Sequence, residues 1–215
     1  CVLKPKCNVV NGKTLYPILC HTPDQLAAAL NTIQIDEWFS QEWVEGQSLY
    51  LCAYLDAAGG FDFYWQENLL QQAGGRSIVL ARATVNPGID VAILMDRLHD
   101  KGYFGPFMME VIRDLSGRLF FIEINPRFWG PLNLSLKICP NLLNRFAIDQ
   151  GLTPLRCLSS QEGAEHWYAW AFGALAGHCR RYPAANTYSC ADIEALVRKH
   201  DVYAARDTYR LSGSH

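Results

Sequence analysis

Residues 120–130, FFIEINPRFWG, constrain the fold more than any other stretch of this chain. Glu123 and Asn125 fall at every second place in an otherwise apolar run, and Arg127 follows across Pro126. A β-strand turns successive side chains to opposite faces. The alternation therefore predicts a strand with Phe121, Glu123, Asn125 and Arg127 on one face and Phe120, Ile122 and Ile124 on the other. One face joins a core, and the other is built to hold something polar. An antiparallel strand with a wet outer face fits the same pattern, so the neighbourhood has to decide.

That neighbourhood reads as β-structure. WFSQEWV, SLYLCAYL after Gly46, FDFYWQ after Gly59-Gly60 and RSIVLARATV after Gly74-Gly75 are successive strands punctuated by turn residues. FMMEVIR and RLFFIEI form one more hairpin, joined by Asp114-Leu115-Ser116-Gly117. Near the start, Asn11-Gly12 marks a tight turn that folds the chain back into residues 13–19. Helices are predicted in four places. Thr22-Pro23-Asp24-Gln25 caps a helix with Leu26, Ala29, Leu30 and Ile33 on one side. Val91, Leu94 and Leu98 give residues 89–101 a helical period that Gly102 closes. Residues 130–150 are helical around Pro140, and the tail carries helices near 164–178 and at 191–200, the last introduced by Ser189. The Trp167, Trp170 and Phe172 cluster in the tail reads as a packing face. The class is α+β.

Bulk composition narrows the function. With 215 residues, 50% of them hydrophobic and 19% charged, the chain can bury a substantial core. A formal net charge of -2 without any block of like charge lacks the basic footprint of a nucleic-acid binder. The 8 cysteines are scattered with no C-x-x-C pair, which favours free thiols in a reducing cytoplasm over a zinc site or a disulfide scaffold. No apolar run approaches the roughly 18 residues of a membrane span, and no signal peptide is present. The chain starts at Cys1 rather than Met, and VLKPK reads like the end of a strand, so the natural protein is expected to begin upstream.

With residues 114–117 as the loop, Arg113 falls opposite Arg118 and Glu110 opposite Phe121. Glu110 and Glu123 then become diagonal neighbours on one face, about 7–8 Å apart. Two long carboxylates can close that gap on one ion, and Asn125 adds an amide oxygen. Such hard ligands suit magnesium. Without a cation, two adjacent anions would repel and one would tend to protonate. A solvated hairpin face carrying a chance pair of acids fits the same residues.

Taken together, VLKPK, QEWVEG and MMEVIRDLSGRLFFIEINPRFWG resemble the ATP-grasp superfamily of carboxylate-amine ligases, in order and over residues 1–150. The FWG-P-L run after the arginine looks most like the carbamoyl-phosphate-synthase-like branch. The resemblance implies two α/β subdomains with antiparallel sheets: an incomplete first one at 1–45, a second with the metal site at 46–150, and a helical extension at 151–215. It implies that Lys4 contacts the nucleotide phosphates and that Gln41, Glu42, Trp43 and Val44 form the hinge beside adenine. Glu110, Glu123 and Asn125 would hold Mg2+, with Mn2+ as an alternative, on ATP. Arg127 would stand near the transferred phosphate or acyl group, and Arg82 is a second phosphate candidate. The implied partners are small-molecule carboxylate and amine substrates and an N-terminal domain outside this chain. No nucleic acid and no membrane are implied, and the oligomeric state is left open, with a homodimer among the options. One departure stands out: past the hinge, where the family carries an acid for the ribose, this chain has Gln47 and Ser48, with Glu45 the nearest acid. Phosphorylation of bicarbonate or carbamate, a non-catalytic nucleotide-binding module and a β-rich interaction domain are the rival readings.

Overall fold

A computed structural model describes residues 1–7, 9–154, 165–175 and 177–204. The chain opens with β1 (Val2–Pro5), the short strands β2 (Val9–Val10) and β3 (Lys13–Thr14), and β4 (Ile18–Leu19). Asn11 and Gly12 both carry positive φ, 50° and 74°, as a two-residue hairpin turn between β2 and β3 requires. The returning stretch is split, since β3 pairs with β2 while β4 pairs with β1. Helix α1 (Pro23–Leu30) starts where the cap predicts: Thr22 Oγ1 accepts the Gln25 N–H at 3.2 Å, and Gln25 Oε1 accepts the His21 N–H at 2.8 Å. With β5 (Trp38–Gln41), these strands form a three-stranded antiparallel sheet, β4-β1-β5, packed on α1 through Leu3, Cys20, Leu26 and Ala29.

The larger sheet follows from the alternating apolar strands. Its elements are β6 (Gln47–Leu55), β7 (Phe61–Gln72), β8 (Ile78–Thr84), β9 (Gly105–Arg113) and β10 (Leu119–Asn125), with α2 (Val91–Asp100) between β8 and β9. Helices α3 (Leu132–Ile138) and α4 (Pro140–Asp149) follow, broken at Pro140 as predicted. Strand β6 is buried at every position because both of its faces are covered. On one face Leu49, Leu51, Ala53 and Leu55 pack with Phe107, Met109 and Val111 against Val91 and Met95 of α2. On the other, Tyr50, Cys52, Tyr54, Tyr64 and Met108 pack beneath Trp129 and Leu134 and Leu142 of α3 and α4. Arg145 of α4 ties down the β6–β7 turn by ion pairs to Asp56 and Asp62.

The tail departs from expectation. In place of one helix near 164–178, the described part of that stretch forms β11 (Trp167–Ala169) and α5 (Ala171–Leu175); β12 (Cys179–Arg181) follows it, and α6 (Cys190–His200) has the expected Ser189 cap. The edge of the sheet overrides local helical spacing: Trp167, Tyr168 and Ala169 pair with Arg82, Ala81 and Leu80 of β8, and β12 pairs with the far end of β7. The sheet order is therefore β10-β9-β6-β7-β8-β11, with β12 on β7. Trp167 is buried against α6 as part of a packing face, whereas Phe172 is exposed. No helix among the described residues is long and apolar enough to cross a membrane, and the seven described cysteines are all free.

Candidate active site

The site begins at the β9–β10 hairpin, whose register differs from the expected one. The loop is one residue longer, so Arg113 pairs with Leu119 and not Arg118; the Asp114 carboxylate closes the loop by accepting the N–H groups of Ser116 and Arg118, each at 2.9 Å. A bulge at Ile122 then adds a second residue of slip, and Glu123 lies directly opposite Glu110, with Asn125 opposite Met108. Two consequences follow. The acids are direct cross-strand neighbours rather than diagonal ones, which brings their Cβ atoms to about 4.5–5.5 Å. Phe121, paired with Val111, is turned away from Glu123 to the α2 face, and Ile122 joins Glu123 on the cavity side.

The two carboxylates are treated differently. Glu110 Oε1 accepts from Ser48 Oγ at 2.8 Å, Ser48 Oγ accepts from Asn68 Nδ2 at 2.8 Å, and Asn68 Oδ1 accepts from Gln66 Nε2 at 2.8 Å. This relay, with Ser48, Asn68 and Gln66 fully buried, fixes Glu110 from behind. Burial above all, and then the charge of Glu123, push the Glu110 carboxyl up to about 7, against the Ser48 hydrogen bond and the charges of Lys4 and Arg180 that favour ionisation. Glu123 is more open and better compensated: it pairs with Lys4 Nζ at 3.2 Å and accepts from Asn125 Nδ2 at 2.7 Å. Two carboxyl groups and the Asn125 amide meet here, with the Lys4 ammonium of β1 on Glu123. The set fits a divalent cation, because both acids lie in one cavity wall and their mutual repulsion lacks full compensation. Among the described residues no three His, Cys, Asp or Glu side chains cluster.

Two cavities meet at this pair. One of about 130 Å³ is lined by Lys4, Gln41, Glu42, Trp43, Val44, Ile112 and Ile122 together with both acids. The other, about 310 Å³, is lined by Asn125, Arg127, Tyr16, Arg76, Tyr50 and Trp129, again with both acids. All the residues expected in the site thus converge, except one. Gly46 lets the segment after Val44 approach β9, since a Cβ there would overlap the Arg113 carbonyl oxygen. Arg127 is exposed, donates to the Phe128 carbonyl at 3.1 Å and forms no ion pair among the described residues, so a salt bridge to Glu110 or Glu123 is not its role here.

Arg82 is the exception. Its guanidinium pairs with Glu67 at 2.7 Å, donates to the Tyr188 hydroxyl at 3.0 Å and stacks over Trp167, and it lines neither cavity. Cross-strand pairing with Glu67 and Trp167 places it on the sheet face opposite Glu110, so it is not a phosphate contact. Three contributors escaped sequence reasoning. Ser48 is one, and its signal was present: it shares a face with Tyr50 and Cys52 of the same strand. Gln47 is likewise not free for a sugar, because its amide is spent on the Asn68 and Ser48 carbonyls and the Ala184 N–H. Arg180 and Tyr182, which line the smaller cavity, come from the tail and had no local signal.

No protein-family model matches the chain, and no curated protein matches it. Solved structures do. The biotin carboxylase domain of the Hydrogenobacter thermophilus 2-oxoglutarate carboxylase, in complex with MgADP, ADP and bicarbonate, superposes with a TM-score of 0.55 at 15% identity, covering 77% of this chain and 39% of that one. N5-carboxyaminoimidazole ribonucleotide synthetase from Thermus thermophilus gives 0.53 at 19% identity over 72% of this chain and 42% of that one. The Staphylococcus aureus N5-carboxyaminoimidazole synthetase, complexed with ADP, gives 0.53 at 17% over 71% and 41%. The fold is therefore ATP-grasp, of the α+β class. The chain spans about two fifths of the length of these structures.

Proposed function

We propose that this chain carries the MgATP-gripping part of an ATP-dependent carboxylate-amine ligase. The observation that carries the reading is the direct cross-strand pair Glu110–Glu123, with Asn125 beside it, at the junction of a hinge-lined cavity and an Arg127-lined one. The nucleotide base would hydrogen-bond along the backbone of Gln41, Glu42, Trp43 and Val44, with Ile112 and Ile122 among its apolar walls. Mg2+ held by Glu110, Glu123 and Asn125 would neutralise charge on the phosphate chain. Lys4, already poised on Glu123, would exchange that partner for a phosphate oxygen. A substrate carboxylate in the larger cavity attacks the γ-phosphorus, the bond to the β-phosphate oxygen breaks, and ADP leaves. The acyl phosphate so formed is attacked by an amine, and phosphate departs. Arg127 is the candidate catalytic residue, since its permanently charged planar fork can balance negative charge on the transferred group. No covalent enzyme nucleophile is needed.

The likeness to structures holding ADP and MgADP supports the nucleotide and the metal. Bicarbonate as the acid is the favoured alternative, as in a carbamoyl-phosphate-synthase-like branch, because one of those structures holds bicarbonate as well as nucleotide. On this reading residues 1–45 are part of the first subdomain and 46–150 the second, whose sheet the tail strands β11 and β12 extend, in a cytoplasmic protein that works with a further domain. The test is ADP release from MgATP across a panel of carboxylates that includes bicarbonate. Release should require one of them and should fall ~10²-fold or more in the Glu110→Gln, Glu123→Gln double variant. Nucleotide binding without any acid-dependent release would leave a non-catalytic module.

A further inference from the structure

Arg180 belongs to the C-terminal strand β12, yet its guanidinium lies in the hinge-lined cavity. Its Cζ stands 4.4 Å from the ring centroid of Trp43 and 4.6 Å from that of Tyr182. The guanidinium carbon thus lies over both rings, within cation–π range. Its N–H donors lie in the plane, and among the described residues none has a hydrogen-bond or ion-pair partner. The Tyr182 side of this bracket is fixed in place. Tyr182 is 2% exposed, donates its hydroxyl to Gln71 Oε1 at 2.6 Å, and is held through its N–H by the Leu69 carbonyl at 3.0 Å. Arg180 itself pairs with Gln71 in the sheet.

A half-buried guanidinium with an open fork is a site for an oxyanion, which its geometry matches with two parallel donors. The charge balance points the same way. With a divalent cation on Glu110 and Glu123, those carboxylates are neutralised, and Lys4 and Arg180 leave the cavity net positive even with Glu42 in its wall. A neutral base cannot offset them, whereas a phosphate chain can. Resting on the nucleotide reading above, we infer that Arg180 is a phosphate-binding residue, so that the C-terminal segment, and not the two ATP-gripping sheets alone, completes the nucleotide site.

The experiment is titration calorimetry of the full chain with ADP and with adenosine, in Mg2+, for the wild type, Arg180→Ala and Arg180→Lys, with thermal melts to establish that each variant is folded. Arg180→Ala should lose roughly 10–100-fold in ADP affinity and keep adenosine affinity within about twofold. Arg180→Lys, which keeps the charge without the fork, should recover only part of the loss. Equal or tighter ADP binding by Arg180→Ala overturns the inference and makes the side chain a plug. An equal loss for ADP and adenosine overturns it too, moving the contact to the base or the bracket. If the wild type binds no ADP, the nucleotide reading falls along with it; if the wild type binds and Arg180→Ala binds as well, only the Arg180 assignment falls.

Discussion

The two faces of the large sheet are made by the same strands and obey opposite rules. Beneath α2, Leu49, Leu51, Ala53, Phe107, Met109 and Val111 bury aliphatic and aromatic surface with no side-chain hydrogen bonds to satisfy, apart from the indole N–H of Trp65, which has no partner among the described residues. On the other face, one residue out of step along each strand, the buried Gln66–Asn68–Ser48 relay ends on a carboxylate that burial and a like charge disfavour. Stability accumulates on the first face. The second gives some of it up to hold Glu110 beside Glu123, and this difference makes substitutions on the two faces diverge in sign.

The largest contrast is between Phe107→Ala and Glu110→Gln. Phe107 is 0% exposed among the α2-facing residues, so its truncation should lower unfolding free energy by about 3–5 kcal/mol in urea titrations while the surviving folded protein keeps its ligand affinity. Glu110→Gln should do the reverse at pH 8. Folded, Glu110 keeps its proton up to about pH 7; unfolded, it loses it near 4.5. Between those values the folded state binds more protons than the unfolded one, so wild-type stability falls as pH rises through that window and stays lower above it. A neutral amide escapes the penalty and should raise stability at pH 8 by as much as about 3 kcal/mol, with no gain at pH 4. The same linkage predicts that Mg2+ binding releases close to one proton at pH 6 and almost none at pH 8, readable by calorimetry in buffers of different ionisation enthalpy. A Glu110→Gln variant that is less stable than wild type at pH 8 would erase the distinction between the faces.

The faces also differ in how far the sequence exposed them. Alternation in SLYLCAYL and FFIEIN revealed the strands and the acid pair, because period-two patterning and residue type are local properties. The direct opposition of Glu110 and Glu123 was hidden by the Ile122 bulge, whose insertion leaves the composition of the strand unchanged. Arg82 was misassigned for a related reason: a charged residue in a strand does not declare its face until the register is known, and here Glu67 neutralises it on the far side. Arg180 had no signal at all. HCRRY is an unremarkable stretch until β12 pairs with β7, and that contact joins residues more than a hundred positions apart in the chain.

Arg82→Ala sharpens the comparison on a smaller scale. It strips a buried carboxylate of its main partner, leaving Glu67 with Arg113 at 4.0 Å, and should lower stability by about 1–3 kcal/mol. Because the side chain lies across the sheet from both cavities, Mg2+ and ADP affinities should stay at the wild-type level. A loss of ADP affinity without a loss of stability would return Arg82 to the phosphate site.

The smallest expected effect tests the bulge itself. Phe121 is 59% exposed and, opposite Val111, points away from the acids. Phe121→Ser should change stability by less than about 0.5 kcal/mol, as at an ordinary surface position, and leave Mg2+ affinity untouched. Strict alternation would instead seat this ring beside Glu123, where removing it would open the cavity wall, wet the carboxylates and draw the Glu110 carboxyl back toward its ordinary range. Cation affinity measured near pH 6 is the sensitive readout, since relief of protonation there would tighten binding. A tighter Mg2+ complex in Phe121→Ser at pH 6 would mean that the two acids are not held opposite one another, and the division of labour between the faces would have to be redrawn from that strand outward.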